Sequence, residues 1–341
     1  MRVSVKINDA VSILPKGGIS LRAIFTGGCV AFTRNCTEGM NIIARGIPLK
    51  RGDEVLMTTH EHPGGAMPWL ALMKEKGVVV KTFEPGLTPE DNPNQIEANI
   101  TRRTRVLSIS HITCTTGLLF PAKEVCQLAK SKGLITVLDG AQVVGMIPID
   151  LHEIGCDFYA TSGHKWLLGP KGTGLVYVSE EMRRMFKPTF VGAYSDKHYD
   201  LDQRRLEYKE SADCTEYGTR NTALVLGLGS ALDFLSTIGM KEVAARGASL
   251  AAYLKQKLRE IPNIKVLTPM DPRASSSIVT FKVKDRKHTE IQHMLVHKYK
   301  MRTRPVGEHH INAIRVSLHL YNNFEEINRL LKALGEIIEK R

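Results

Sequence analysis

The sequence predicts an α/β protein, with a large domain on a mainly parallel mixed sheet and a smaller C-terminal α/β domain. Three observations predict it. From Asp53 onward, short β-branched runs alternate with longer amphipathic stretches, the pattern of a parallel sheet covered on both faces. After "EYGTRN" this gives way to a long helical stretch and then further strand and helix units. A chain of 341 residues is also too long for one small core.

Taken in order, "DEVLMTT" reads as a strand, "GAMPWLALMKEKG" as a helix and "VVVKTF" as a strand. "RVLSISH" and "LITVLDG" are strands separated by the helical "AKEVCQLAKSKG", and "DFYATS" and "GLVYVS" follow as strands. The stretch from Thr222 to Ile261 is helical, with a break expected at Gly239. Then come a strand "SIVTFKV", a helix around "TEIQHMLVHKY", a strand "AIRVSL" and a final helix "NFEEINRLLKALGEIIEK". The expected division is an atypical segment 1–30, a large domain 31–229 and a small domain 230–341. The first segment holds two Gly-Gly pairs and little periodicity. His111, Asp139 and Ser162 fall at or just past strand ends, where ligands of parallel sheets collect.

Composition narrows the function. Hydrophobic content of 43% and charged content of 24% are those of an ordinary globular protein. No apolar run reaches membrane-spanning length, and the start lacks a secretory signal, so a cytoplasmic location is expected. Six scattered cysteines show no CxxC or other zinc spacing, which indicates neither a disulfide framework nor a metal site. The net charge of +12 raises the possibility of a nucleic-acid partner. However, the basic residues are dispersed without interleaved aromatics, which favours a solvated surface.

Chemistry concentrates around Lys165, which stands in "TSGHKWLLGPKGTG" between a histidine and a tryptophan. A lysine needed for chemistry requires a shaped, partly dry pocket where its amine can lose a proton; the alternative is a surface lysine beside a turn. "RNCTEGMN" sets Cys36 and Thr37 at a helix start, where free N–H groups attract an anion; a threonine N-cap is the alternative. Asp139 ends a strand too apolar for an unpaired carboxylate. Ser162 and His164 flank the lysine as candidate phosphate contacts, and His62 in "HEHPGG" offers a flat ring for stacking. One ligand accounts for these features together: an aldehyde-bearing pyridine with a phosphate arm, pyridoxal 5′-phosphate.

The segments "FTRNCTEGMN", "HEHPGGAMPW", "SISHITCTTGLLFP", "VLDGAQVVG", "TSGHKWLLGPKGTGLVYV", "EYGTRN" and "RVSLHLYNNFEEI", in this order, resemble class V aminotransferases. The nearest branch is the isopenicillin-N-epimerase-like group beside the cysteine desulfurases, and the likeness runs from about Ala31 onward. It implies the pyridoxal-phosphate-dependent transferase fold type I, with residues 31–229 as the cofactor-binding domain. It also implies Lys165 as the Schiff-base lysine and general base, Asp139 at the pyridinium nitrogen, Gln142 at the ring hydroxyl and His62 over the ring. Cys36, Thr37, Ser162 and His164 would hold the phosphate. Thr219 would reach the cofactor phosphate of a second subunit in a homodimer with shared sites, and Arg315 would clamp the substrate carboxylate; a structural salt bridge is the alternative for Arg315.

Cys114 is implied as a cofactor contact, although it stands where desulfurases commonly have asparagine. The loop before Arg315, "RTRPVGEHHINAI", has no cysteine, whereas desulfurases place their sulfur-accepting thiol there. His309 and His310 are candidates to shape substrate choice instead, and Cys214 is read as structural. Residues 1–30 do not match the family's longer leading segment, so a shortened copy with an intact cofactor pocket is expected. His293 and His297 have helical metal-ligand spacing but no third ligand, and "GPKGTG" is not a Walker loop. The expected activity is that of an aminotransferase or epimerase on an amino acid. A desulfurase or selenocysteine-lyase-like elimination is the first alternative, and a silent cofactor-binding scaffold the second.

Overall fold

The structure, a computed structural model, describes residues 28–339. What was expected of residues 1–27 lies outside the described residues. The main sheet is built from β1 (Val30–Thr33), β2 (Glu54–Thr58), β3 (Val79–Phe83), β4 (Thr104–Ser110), β5 (Ile135–Asp139), β6 (Phe158–Ser162) and β7 (Gly174–Val178). Their order across the sheet is β1-β7-β6-β5-β4-β2-β3. From β3 to β6 all neighbours are parallel, whereas β7 runs antiparallel to both β6 and β1. This is the mainly parallel mixed sheet that the alternating pattern predicts.

Helices α1 (Cys36–Gly46), α2 (Pro63–Lys76), α3 (Asp91–Asn99), α4 (Ala122–Ser131) and the short α5 (Leu151–Ile154) connect these strands. Successive residues of a strand face opposite sides, and the two cores divide accordingly. Val55 and Met57 of β2 pack with Met40, Ile43, Trp69 and Leu72 of α1 and α2. Leu56, between them, packs on the other side with Leu107, Phe120 and Val125. An apolar strand covered on both faces has no solvent side, so its only polar end is where the chain leaves the sheet.

The helical stretch after Asn221 is two helices, α6 (Thr222–Ile238) and α7 (Met240–Glu260), bent by 78° at Gly239. Gly239 has φ +89°, a conformation that costs glycine little and terminates α6. The division expected at residues 229/230 therefore falls inside α6, whose Leu228, Leu232 and Leu235 pack with Leu107 and Leu138 of the main sheet. No single helix among the described residues is long and apolar enough to cross a membrane.

A second sheet holds β10 (Ile264–Val266), β11 (Ile278–Val283), β12 (Arg304–Val306) and β13 (Ala313–Ser317), in the order β10-β11-β13-β12 and antiparallel throughout. Its core joins Val279, Phe281 and Ile314 to apolar residues of α7, α8 (His288–His297) and α9 (Phe324–Glu339). The turn between β4 and α4 ties the two sheets together. Four consecutive carbonyls there, of Cys114, Thr115, Thr116 and Gly117, accept from Arg315 Nη1, Thr280 Oγ1, Thr268 Oγ1 and Ser276 Oγ at 2.5–2.7 Å. A hairpin of β8 (Asp196–Asp200) and β9 (Arg205–Tyr208) was not anticipated. It is short and largely exposed, and charged residues interrupt its few apolar ones, Tyr199, Leu206 and Tyr208.

Candidate active site

Asp139 ends β5, and Lys165 lies in the tight loop after the neighbouring β6. The Asp139 carboxylate is buried, and its Oδ1 accepts from the Ala141 N–H (2.9 Å) and the Cys36 thiol (3.2 Å). No hydrogen bond is made to Oδ2 among the described residues, and it faces Gly65. A Cβ at Gly65 would stand 3.2 Å from Oδ2, and one at Gly64 would stand 2.3 Å from Thr37 Oγ1. These two glycines open α2, and side chains there would fill the space beside the carboxylate.

His62 caps α2: its Nδ1 accepts from the Gly64 N–H at 3.0 Å, which fixes the ring and leaves Nε2 as the donor. Its pKa is lowered first by burial, then by the Lys165 ammonium, against an opposing pull from Asp139. The buried Cys36 thiol is pushed well up by burial and by Asp139, with Lys165 acting in the opposite sense. His62 and Cys36 thus both lie in the fields of the same amine and carboxylate. Lys165 itself is half-buried and has no ion pair or hydrogen bond from its amine among the described residues.

The loop that carries Lys165 is held by its neighbours. The Trp166 indole N–H donates to Gln142 Oε1 (2.9 Å), the Trp166 carbonyl is paired with His319 Nε2 (2.9 Å), and the Gly169 N–H closes the loop onto the Gly163 carbonyl (2.8 Å). The Trp166 ring also stacks on His319, with centroids 5.2 Å apart. With Gln142 Oε1 engaged, its amide NH2 remains as a donor near the site. Ser162 Oγ accepts from the Cys36 N–H (3.0 Å) and keeps its own proton to donate. His164 Nδ1 is buried with no partner.

Asn35, rather than Thr37, is the N-cap of α1: its side chain accepts from the Glu38 N–H at 2.9 Å. Thr37 is exposed in the first turn, its hydroxyl beside Gly64. The Cys36 N–H donates to Ser162 Oγ and its thiol to Asp139 Oδ1, so the residue links the serine to the carboxylate. The thiol of Cys114 is buried and pushed up to about 11, and the residue's observed contact is its carbonyl, which holds Arg315. Arg315 has no carboxylate partner among the described residues, so the salt-bridge alternative is not what forms. Burial, and secondarily Arg304, lowers its pKa to about 10. Thr219 is exposed in a separate groove with Arg34, Tyr217 and Arg220, and it has no hydrogen bond to the Lys165 group.

Two features escaped the sequence reading. Glu61, beside His62, is buried, and its carboxyl accepts from Thr58 Oγ1 and Ser110 Oγ at 2.6 Å. Burial raises it to about 7, with Asp139 adding to the effect. The second feature is a contact of the loop singled out before Arg315: His309, at φ +51°, stacks on His60 with centroids 5.9 Å apart. His60 is anchored in turn by Thr115 Oγ1 and Glu84.

The donor set fits the phosphorylated pyridine expected above. Asp139 Oδ2 is a free acceptor in a buried site, suited to a protonated ring nitrogen. The Gln142 amide, the Ser162 hydroxyl and the orphaned His164 nitrogen offer donors to oxygen anions, and the two glycines leave room that side chains would fill.

Comparison with known proteins agrees. The family model described as Aminotransferase class-V matches residues 27–330. An isopenicillin N epimerase of Amycolatopsis lactamdurans is 31% identical over 321 residues, covering 90% of this chain and 80% of its own. A probable cysteine desulfurase of Methanothermobacter thermautotrophicus is 30% identical over 329 residues, with 90% and 79% covered. The fold of a cysteine desulfurase from Thermococcus onnurineus NA1 superposes with a TM-score of 0.84 over 98% of this chain and 83% of that one, at 24% identity. The sheet order, the free amine near a strand-end carboxylate and these likenesses converge: the chain belongs to the class-V aminotransferase family, has the fold type I architecture and takes pyridoxal phosphate as its cofactor.

Proposed function

We propose that this chain is an enzyme that acts at the α-carbon of an amino acid, transferring its amino group or inverting its configuration, with the cofactor held at Lys165. The observation that carries the reading is the amine of Lys165, half-buried and free of ion pairs, with Asp139 and Lys165 acting on the same His62 ring and Cys36 thiol. When bound, pyridoxal phosphate supplies an aldehyde that amines capture and a ring that withdraws electrons from the α-carbon. The rest is done by the chain. Asp139 holds a proton at the ring nitrogen, and the Gln142 amide donates to the ring hydroxyl oxygen. His62 covers the ring face, while Thr37, Ser162 and His164 bind phosphate oxygens. Lys165, with its amine beside the bound substrate, would be the base that moves the α-proton. Arg315 receives the substrate carboxylate with the edge not given to Cys114.

A homodimer belongs to the same proposal. Helix α6 exposes Leu226 and Phe234, and the segment before and through the hairpin exposes Phe190, Tyr194 and Leu201, an apolar surface suited to a second copy. Thr219 would then serve the partner's cofactor phosphate.

The state of the thiols favours transfer or inversion over desulfuration. All six cysteines are buried, none lies in the loop before Arg315, and burial raises Cys36, Cys114, Cys126, Cys156 and Cys214 away from the thiolate form. The relatives named cysteine desulfurase support a second reading, elimination of a β-substituent that needs no thiol. Incubating the cofactor-loaded protein with a panel of amino and keto acids, then analysing products, separates the two. Keto acid or inverted substrate is expected. Release of sulfide or selenide would replace the first reading with the second, and no turnover of any panel member would leave the silent-scaffold alternative standing.

A further inference from the structure

The pair Arg304 and Arg315 holds more positive charge than the protein balances. They are directly opposite residues of the antiparallel strands β12 and β13, so both side chains rise from one face of the sheet as close neighbours. Like charges in that relation destabilise a ladder. Arg315 is half-buried, with one nitrogen on the Cys114 carbonyl. The only carboxylate paired with either arginine among the described residues is Glu308, which takes one Nη of Arg304. Two guanidiniums therefore share a single acid. Moreover, Nη1 of Arg304 and Nε of Arg315 are both buried with no hydrogen-bond partner among the described residues. A buried donor without an acceptor is costly, more so when charged, so an arrangement with two of them is best accounted for by anions that arrive with a ligand.

The pair also borders the cofactor side. Arg304 and Glu308 act on His62 together with Lys165 and Asp139, and Arg304 is the first charge acting on Cys114. The loop that follows β12 is tied to its surroundings by the stacking of His309 on His60 and by the Arg304–Glu308 pair. Arg304 is thus held beside the residue proposed to bind the α-carboxylate.

We propose that Arg304 is a specificity-determining residue that receives a second, side-chain carboxylate, so that the substrate is an acidic amino acid with two carboxylates. This rests on the reading of Lys165 and Arg315 given above. Arg315 takes the carboxylate on the reacting carbon. Arg304, with Glu308 on one edge of its guanidinium, offers the other edge to the distal carboxylate, and a guanidinium accommodates two acids at once because it has five donors in a plane. A neutral amide of the same size offers Arg304 one acceptor oxygen instead of two and no charge to balance the guanidinium.

The test uses the cofactor-loaded protein, titrated with aspartate, asparagine, glutamate and glutamine in both configurations, with apparent affinity read from the visible absorption of the cofactor. The wild-type chain should bind at least one acid more than about tenfold tighter than its amide, a preference of about 1.4 kcal/mol or more. Arg304→Gln should bring the acid-to-amide ratio close to one, and Arg304→Lys, which keeps the charge without the planar fork, should retain part of it. A wild-type ratio near one, or an Arg304→Gln chain that keeps the wild-type ratio, would overturn the proposal. The wild-type comparison needs no substitution, so it decides even if a variant misfolds. Absence of any spectral response to every amino acid would instead defeat the Lys165 reading, and the inference with it.

Discussion

The two sides of the site are built differently. On the cofactor side, polar groups are held by the ends of parallel strands and by helix starts: Asp139 by Ala141 and Cys36, His62 by Gly64, and Trp166 by Gln142 and His319. On the substrate side, Arg304 and Arg315 rise from a small antiparallel sheet, beside a loop in which His309, His310 and Asn312 all have positive φ. Non-glycine residues in that region cost backbone energy and persist where surroundings over-determine them. The first side is rigid and prearranged for one ligand; the second leaves charged donors unmatched. The difference teaches that the cofactor pocket and the proposed substrate reader belong to separate parts of the fold, joined at the 114–117 carbonyls.

The comparison can be broken at either side. The largest effect expected on the cofactor side, after loss of the lysine, is that of Asp139→Asn. An amide cannot keep a ring nitrogen protonated as a carboxylate does, so turnover should drop about 10²-fold or more, with stability little changed. Steady-state kinetics beside a thermal melt measures this, and a variant with full turnover would remove Asp139 from the site. On the substrate side, Arg315→Lys should raise KM by about ten- to a hundredfold while the bound cofactor's absorption stays as in wild type, because lysine cannot copy the fork. An altered cofactor spectrum would mean that the two sides are not separable.

A third effect, on stability rather than turnover, concerns Glu61, the buried acid beside the cofactor side. Its folded pKa, about 7, is above the ordinary 4.5. A raised carboxyl makes the folded state hold its proton more tightly, so the stabilisation is full below the ordinary value and is lost as pH rises through 7. Glu61→Gln should flatten the decline in unfolding free energy between about pH 5 and 8, by up to ~3 kcal/mol. Denaturant melts across that range test it, and an unchanged slope would show that Glu61 is not titrating in a dry environment.

Much of this was legible in the sequence, and what was not has physical causes. Asp139 was visible because the apolar run "ITVL" stops at an acid, and a buried strand end must satisfy a carboxylate locally. The break at Gly239 was visible because glycine punctuates a helical period. Glu61 was not, because a glutamate between two histidines in a polar turn looks solvated until packing buries it. Arg304 was missed because β12 is three residues long and contains Pro305, too short for an alternating pattern, so its opposition to Arg315 exists only in the folded register. The link from Cys36 to Ser162 was hidden for a related reason: a helix start shows where N–H groups are free in general, whereas the serine that takes this one lies far along the chain.

The central claim is that the amine of Lys165 holds the cofactor. It is tested most directly by reducing the pyridoxal-phosphate-loaded protein with borohydride and mapping the modified peptide by mass spectrometry, with Lys165→Ala alongside. The label should fall on the peptide carrying Lys165 in the wild-type chain and be absent from the variant. A label on another lysine, or equal labelling of the variant, would contradict the account.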